Sequence, residues 1–416
     1  MTTHIKPVFP SIRAAAVAAV LALVAVSGCK MFGYKPTRLE QDSGQLYSKI
    51  MTFAGEEANK AFGKLGGGFP TYASGGNWLD SDDFSWARGL YPGMVWLLYQ
   101  SSDDTTYFKL ARTWTDGLEK FCEDDSRFGV GMCCYPSYVT GYQITGNRSY
   151  REAALRAADA LASRFTPAGF FPAFGEPGDT VLGRRLSIES MMDLELLYWA
   201  SEASGNKQYL RMASQHAFFT LQTLIGTDGR ILHMADFDPN TGRIHGEKTP
   251  ELADNEKYNP KGYSAFSVWS LGQAWAIYGF TSAYRDDGNT LFLNAAERVA
   301  DYFINHLPED GIPLWDMELP ANAPPQKDTS AAAVAAAGLL KLARVCPSQA
   351  EADRYRNAAY KIIKGLNAGY FGKTGGNGVL ADGVYGKIND GGGEGATSWG
   401  DYFYIEALLL LQDRKV

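Results

Sequence analysis

Two carboxylates, Glu189 and Asp193, stand four residues apart in Leu186-Ser-Ile-Glu-Ser-Met-Met-Asp-Leu-Glu-Leu-Leu-Tyr-Trp199. On a helix such a pair shares one face, and like charges so placed repel unless a proton or cation intervenes. Ile188, Met191, Met192 and Leu194 surround the pair with hydrocarbon. Burial among such neighbours raises a carboxyl pKa, as a general acid requires. The competing reading is a solvated acidic face, and the flanking methionines and leucine argue against it. Glu189 is therefore the candidate acid/base.

A second stretch has the chemistry of a sugar platform. Ser264 to Phe280 reads Ser-Ala-Phe-Ser-Val-Trp-Ser-Leu-Gly-Gln-Ala-Trp-Ala-Ile-Tyr-Gly-Phe, with Trp269 and Trp275 near a polar Gln273 and three serines. Indole faces stack on sugar rings while amides and hydroxyls hold ring hydroxyls; a purely structural aromatic stripe is the alternative. Trp86, Arg88 and Tyr91 cluster in Trp86-Ala-Arg-Gly-Leu-Tyr-Pro-Gly, and Thr397-Ser398 precede Trp399 and Asp401. Asp401 reads as a residue that caps a helix or pairs with its dipole. His233 is either a cavity donor or a satisfied loop histidine.

These residues need elements to hold them. Apolar positions recurring at three and four residues, as in Tyr150-Ala153-Ala154-Ala157-Ala158-Leu161, mark about a dozen helical segments. Segments 46–63, 106–122, 149–165, 207–224, 290–306 and 349–365 form a charge-bearing, amphipathic set. Segments 86–100, 131–145, 186–204, 266–286, 328–345 and 398–413 are richer in Gly, Ala, Ser and aromatics. Strict alternation of the two sets predicts an all-α double ring, an (α/α)6 barrel with solvated outer and buried inner helices. No alternating run is long enough for a sizeable sheet. In such a ring the starts of inner helices form the cavity rim, so polar residues there are the site candidates.

Composition sets the limits. The 416 residues carry a net charge of -7, too acidic for a nucleic-acid backbone as partner. Lys6 and Arg13 precede the apolar run Ala14 to Val26, too short to span a membrane and suited to a signal h-region. Val26-Ser27-Gly28-Cys29 then resembles a bacterial lipobox. The expected organisation is a lipoprotein signal peptide over 1–28, lipidation at Cys29, a polar tether over 29–45 and the barrel over 46–416. That places the protein in the cell envelope, touching membrane through acyl chains alone. Cys122, Cys133, Cys134 and Cys346 match no zinc spacing and read as buried apolar residues. The histidines are scattered, so neither a metal nor an organic cofactor is expected.

Several motifs, in order, resemble glycoside hydrolase family 88, the unsaturated glucuronyl hydrolases, with family 105 as a more distant sister. They are Trp86…Pro92-Gly93-Met94, Met191-Met192…Leu194-Glu-Leu-Leu-Tyr-Trp-Ala, Gly272-Gln-Ala-Trp-Ala-Ile-Tyr-Gly-Phe, Asp328-Thr-Ser-Ala-Ala-Ala and Trp399-Gly-Asp-Tyr-Phe-Tyr-Ile-Glu-Ala-Leu. The resemblance implies an (α/α)6 barrel and an oligosaccharide substrate ending in a uronic acid unsaturated between C4 and C5. It also implies an acid that protonates C4 while water adds at C5. By the same resemblance Trp86, His233, Gln273 and Trp275 line the sugar; Arg88 and Ser398 join them as candidates by their place at inner-helix starts, and Arg88, Arg184 or Arg185 is a candidate source of the charge for the uronate. Glu189 stands where the family has its acid/base aspartate, and Leu271 where it has an arginine for the uronate. Phe128-Gly129 replaces a His-Asp pair, leaving Asp124 or Asp125 as substitutes for the second carboxylate. Those departures allow two alternatives to the hydrolase. One is a catalytically inactive barrel that binds glycans; the other is a lyase using Glu189 or Tyr135 as base.

Overall fold

The computed structural model describes residues 38–123, 129–175, 178–179, 181–245, 259–386, 388 and 393–412. Cys29, the expected signal peptide, Asp124 and Asp125 lie outside them. The chain divides into units Met1–Ser48 and Lys49–Val416. Residues 29–37 of the expected tether over 29–45 also lie outside the described residues, and helix α1 runs Arg38–Leu65. Past Pro36 the sequence holds no further proline until Pro70 and is rich in Leu, Glu, Gln and Lys, which favour helix.

The remaining helices follow in hairpins. They are α2 (Leu90–Ser102), α3 (Thr105–Asp116), α4 (Glu119–Cys122), α5 (Val130–Cys134), α6 (Thr140–Thr145), α7 (Arg148–Ser163), α8 (Leu194–Ser204), α9 (Lys207–Leu224), α10 (Ser270–Asp287), α11 (Thr290–Asn305), α12 (Thr329–Val345), α13 (Gln349–Gly369) and α14 (Ser398–Leu411). A wide π-turn, Tyr135–Val139, joins α5 to α6. Inner helices are buried all round: every residue of α10 from Ser270 to Ala283 and of α14 from Ser398 to Leu410 is inaccessible. Outer helices bury one stripe, as α13 does with Ala352, Tyr355, Ala359, Ile362, Ile363 and Leu366. This is the (α/α)6 barrel expected from the alternation.

The hairpins share a turn. Asp103, Gly146, Gly205 and Gly288 each end an inner helix at positive φ, the left-handed cap that glycine adopts without penalty. The next residue, Asp104, Asn147, Asn206 or Asn289, caps the following outer helix by accepting a backbone N–H two residues on. One residue stops a helix and its neighbour starts another, so antiparallel neighbours need a link of only two residues.

Three short antiparallel pairs shape the mouth. They join β1 (Tyr72–Ser74) to β2 (Asn77–Leu79), β3 (Arg185–Ser187) to β4 (Met234–Asp236), and β5 (Gly383–Val384) to β6 (Glu394–Gly395). Cys122 and Cys134 form a disulfide, which corrects their reading as simple buried residues. Cys133 beside them is a free buried thiol, pushed up to about 12 by desolvation. Among the described residues no helix is long and apolar enough to cross a membrane.

Candidate active site

Inner-helix starts converge on a cavity of about 470 Å³. Its walls include Phe84, Trp86, Phe174, Trp269, Leu271, Tyr385 and Trp399, and its charged or titratable groups are Asp83, Glu189, His233 and Lys261. Phe84 lies nearly parallel to Trp399 with centroids 5.7 Å apart, and Trp86 tilts against Trp399 at 5.1 Å. The result is a continuous aromatic wall facing a small polar cluster, the composition of a site for a ring with hydroxyls.

Glu189 sits on a 3-10 turn, Ile188–Asp193, that leads into α8. The β3–β4 register places Ser187 opposite Met234, and the Ile188 N–H donates to the His233 carbonyl at 3.0 Å. Two segments 44 residues apart are thereby clamped so that His233 faces Glu189, Nε2 to Oε2 at 3.5 Å. Ser187 Oγ donates to the same carboxylate oxygen at 3.0 Å. The Glu189 side chain keeps 13% of its surface accessible while His233 keeps 1%. The carboxylate is therefore the member of the pair presented to a ligand.

The state of this pair follows from Asn259. Its Nδ2 donates to the carbonyls of Ser264 at 2.6 Å and Ser267 at 3.1 Å, which fixes the amide orientation and points Oδ1 at His233 Nδ1, 3.3 Å away. Nδ1 must then carry a proton, since an amide oxygen only accepts. A hydrogen bond between Nε2 and the carboxylate then requires a further proton on one of the two. Burial pushes the Glu189 carboxyl up. The hydrogen bond and charge of His233, the Ser187 hydroxyl and the Lys261 charge outweigh it, and the net shift is below the usual range. The carboxyl is thereby held toward its ionised form beside the His233 ring.

Of the residues expected at the site, Trp86, His233 and Glu189 line the cavity. Gln273 does not: it is fully buried, Oε1 accepts from Ile231 N, and Nε2 donates to the Gly229 and Val299 carbonyls. Trp275 packs edge-on behind Trp86 at 6.4 Å and against Phe403. Arg88 turns away, pairing with Asp80 at 2.7 Å and Asp82 at 2.9 Å over the Phe121 ring. Ser398 is buried, its N–H on the Thr71 carbonyl and its hydroxyl 3.4 Å from the Ala87 carbonyl. Each correction has one cause: helical periodicity says which face is buried, but not whether a polar group there meets a ligand or the backbone.

Asp193 is not Glu189's partner either. The 3-10 geometry turns it to the Met132 N–H at 2.9 Å, and burial pushes its carboxyl up to about 6 against the N–H groups of Met132, Gly131 and Gly129. Asp401 accepts from Val379 and Leu380 N–H at 2.9 Å each, holding that loop. Tyr135, the alternative base, has its phenol pushed well up by burial and by Glu195. Gly129 explains the missing side chain at its position: φ is 79°, and an added Cβ would lie 2.3 Å from Trp86 Cβ. Trp86 occupies that space.

Sequence reasoning missed Phe84, Lys261 and Tyr385 as lining residues. Phe84 is two residues from Trp86, a spacing that could have flagged it, whereas Lys261 lies in Asn-Pro-Lys-Gly with no local signal. The 259–269 segment that carries Lys261 and Trp269 is pinned by Asn259 and by Asp316, which accepts from Ser267 Oγ at 2.6 Å and Tyr263 N at 2.9 Å.

Comparison with known proteins gives a consistent answer. Residues 72–388 match the model of Glycosyl Hydrolase Family 88. An unsaturated glucuronyl hydrolase of Bacillus sp. (strain GL1) is 33% identical over 358 residues, 84% of this chain and 92% of that protein. An unsaturated chondroitin disaccharide hydrolase of Streptococcus pneumoniae is 30% identical over 350 residues, 82% of this chain and 85% of that one. The crystal structure of the Bacillus sp. GL1 enzyme superposes with a TM-score of 0.81 at 31% identity, covering 88% of this chain and 97% of that one.

Proposed function

Since the chain belongs to glycosyl hydrolase family 88, we propose that it releases an unsaturated uronic acid from the non-reducing end of a lyase-generated glycosaminoglycan fragment. Glu189 acts as both acid and base. The observation that carries this reading is the Glu189 carboxylate, 3.5 Å from His233 Nε2, at the foot of an aromatic wall.

In the proposed reaction the sugar stacks on Trp86 and Trp399 with its C4–C5 double bond over Glu189. A bound uronate excludes water and adds a second negative charge, and both raise the carboxyl pKa. Glu189 so perturbed takes up a proton before the chemical step. Glu189 protonates C4, water attacks the resulting C5 cation, and the carboxylate takes the proton that the water loses. The product is a hemiketal at C5. Its ring opens to a ketone, the exposed hemiacetal at C1 expels the remaining saccharide, and the sum is substrate plus one water. One carboxylate suffices, unlike the paired carboxylates of glycosidic displacement.

The experiment follows the ultraviolet absorbance of unsaturated chondroitin, hyaluronan and heparin disaccharides with pure protein. Loss of absorbance that vanishes in Glu189→Gln is expected. No loss, with binding retained in calorimetry, would overturn the hydrolase in favour of a glycan-binding barrel. Envelope location through a lipid at Cys29 belongs to the same proposal and rests on the sequence of residues 1–29. Palmitate labelling that Cys29→Ala leaves unchanged would refute it.

A further inference from the structure

An anionic sugar needs a cation, and at the position where the family resemblance leads one to expect it the chain presents Leu271 to the cavity. Arg88, Arg184 and Arg185 could have replaced it, but none lines the cavity. Arg88 is spent on Asp80 and Asp82, Arg185 on Asp236 at 3.0 Å, and Arg184 approaches His245 at 2.9 Å. Glu189 brings a negative charge, and His233 is engaged by Asn259 and by Glu189 itself. Asp83 adds another negative charge on an exposed turn.

Lys261 remains. It lines the same cavity, and no ion pair among the described residues includes it. Its ammonium lies 5.5 Å from the centre of the Phe84 ring and 3.5 Å from the Tyr385 carbonyl, both cavity walls. Its field reaches Glu189. The backbone beneath it is held on one side by Asn259 and on the other by the Ser264, Ser267 and Asp316 bonds. A long flexible side chain is thus anchored at its root and steered at its tip by an aromatic face and a carbonyl dipole.

We propose that Lys261 is the anion seat of this active site, taking the carboxylate or a sulfate ester of the bound sugar in place of the arginine absent at position 271. The assignment rests on the hydrolase reading above for its substrate class, though not for the charge it recognises. A lysine differs from an arginine here in a predictable way. Its ammonium is a point charge without the planar fork that matches a carboxylate bidentately. Recognition therefore depends on charge more than on orientation, and a sulfate oxygen satisfies it as well as a carboxylate does.

The test compares wild type, K261A and K261R on three ligands: an unsulfated unsaturated chondroitin disaccharide, its uronate methyl ester, and its sulfated form. Wild type should favour the free acid over the ester by about tenfold in kcat/KM, mostly through KM, the size of one charge-assisted hydrogen bond. In K261A that ratio should collapse towards one, and K261R should keep most of it. Collapse of the sulfated-to-unsulfated ratio instead, with acid over ester preserved, identifies sulfate as the seated anion. Equal losses on all three ligands, or none, overturn the assignment. Calorimetry on the same ligands separates this failure from that of the hydrolase reading. Charge-selective binding lost in K261A without any turnover removes the hydrolase but keeps the seat. Turnover whose charge preference ignores K261A does the reverse.

Discussion

At the scale of single residues, the chemistry depends on where one proton resides. Asn259 commits His233 Nδ1 to donation, so Nε2 is the ring nitrogen left to hydrogen-bond the Glu189 carboxylate. Replacing His233 by Gln removes the largest of the influences that hold the Glu189 carboxyl low and leaves burial, the Ser187 hydroxyl and the Lys261 charge in place. The carboxyl then rises. Since the protonated acid is the form that attacks C4, the alkaline limb of kcat/KM should move to higher pH in His233→Gln while the maximum falls by about 10²-fold or more. A pH–rate profile checks both changes. An unshifted limb would mean that the pair does not control the acid. Trp86 acts differently, by stacking alone: Trp86→Ala should raise KM about tenfold with little change in pH dependence, read from initial rates across substrate concentration.

At the scale of elements, polar side chains on inner helices divide into those that face the cavity and those that tie backbone. Gln273 ties two separate backbone segments, the loop at Gly229 and Ile231 and the helix α11 at Val299, to the first turn of α10. Gln273→Leu leaves that N–H and those carbonyls buried and unpaired, at about 1–3 kcal/mol for each group. The expected result is a large drop in thermal midpoint with unchanged KM in whatever fraction stays folded. Thermal unfolding beside steady-state kinetics distinguishes this from a sugar-binding role, which would do the opposite. The shared hairpin turn belongs to this scale too. Asn147, Asn206 and Asn289 each follow a left-handed glycine, so Gly-Asn is a repeated stop-and-start signal that a search for longer repeats overlooks.

At the scale of the whole molecule, the barrel carries a second polar cluster away from its mouth. Lys341 on α12 reaches Glu406 on α14 at 3.0 Å and Glu195 on α8 at 3.4 Å, and Arg285 on α10 adds a contact to Glu195 at 3.1 Å. Tyr278 and Ser282 donate to the same carboxylates. Four inner helices are thereby locked to one another through charges that burial makes costly to separate. Lys341→Met strands two buried carboxylates with reduced compensation and should destabilise by about 3–5 kcal/mol. Denaturant titration measures it. A change below about 1 kcal/mol would place the cluster among pairs worth little.

The sequence by itself determined the ring of alternating helices, because burial on one face or on all faces leaves a periodic trace along the chain. It also marked Trp86 and Glu189 as site candidates, because both fall near inner-helix starts, whereas His233 stayed open between a cavity donor and a satisfied loop histidine. Only the tertiary structure decided which polar residues meet a ligand. Gln273, Ser398 and Arg88 look like site residues by type, yet their partners come from elsewhere: Ile231 and Val299, Thr71, Asp80 and Asp82. Lys261 shows the converse, a loop residue without a motif that the fold carries into the cavity. The physical reason is the same in both cases. A backbone N–H or carbonyl competes for a polar side chain as well as a sugar does, and the outcome depends on segments that meet only in the folded chain.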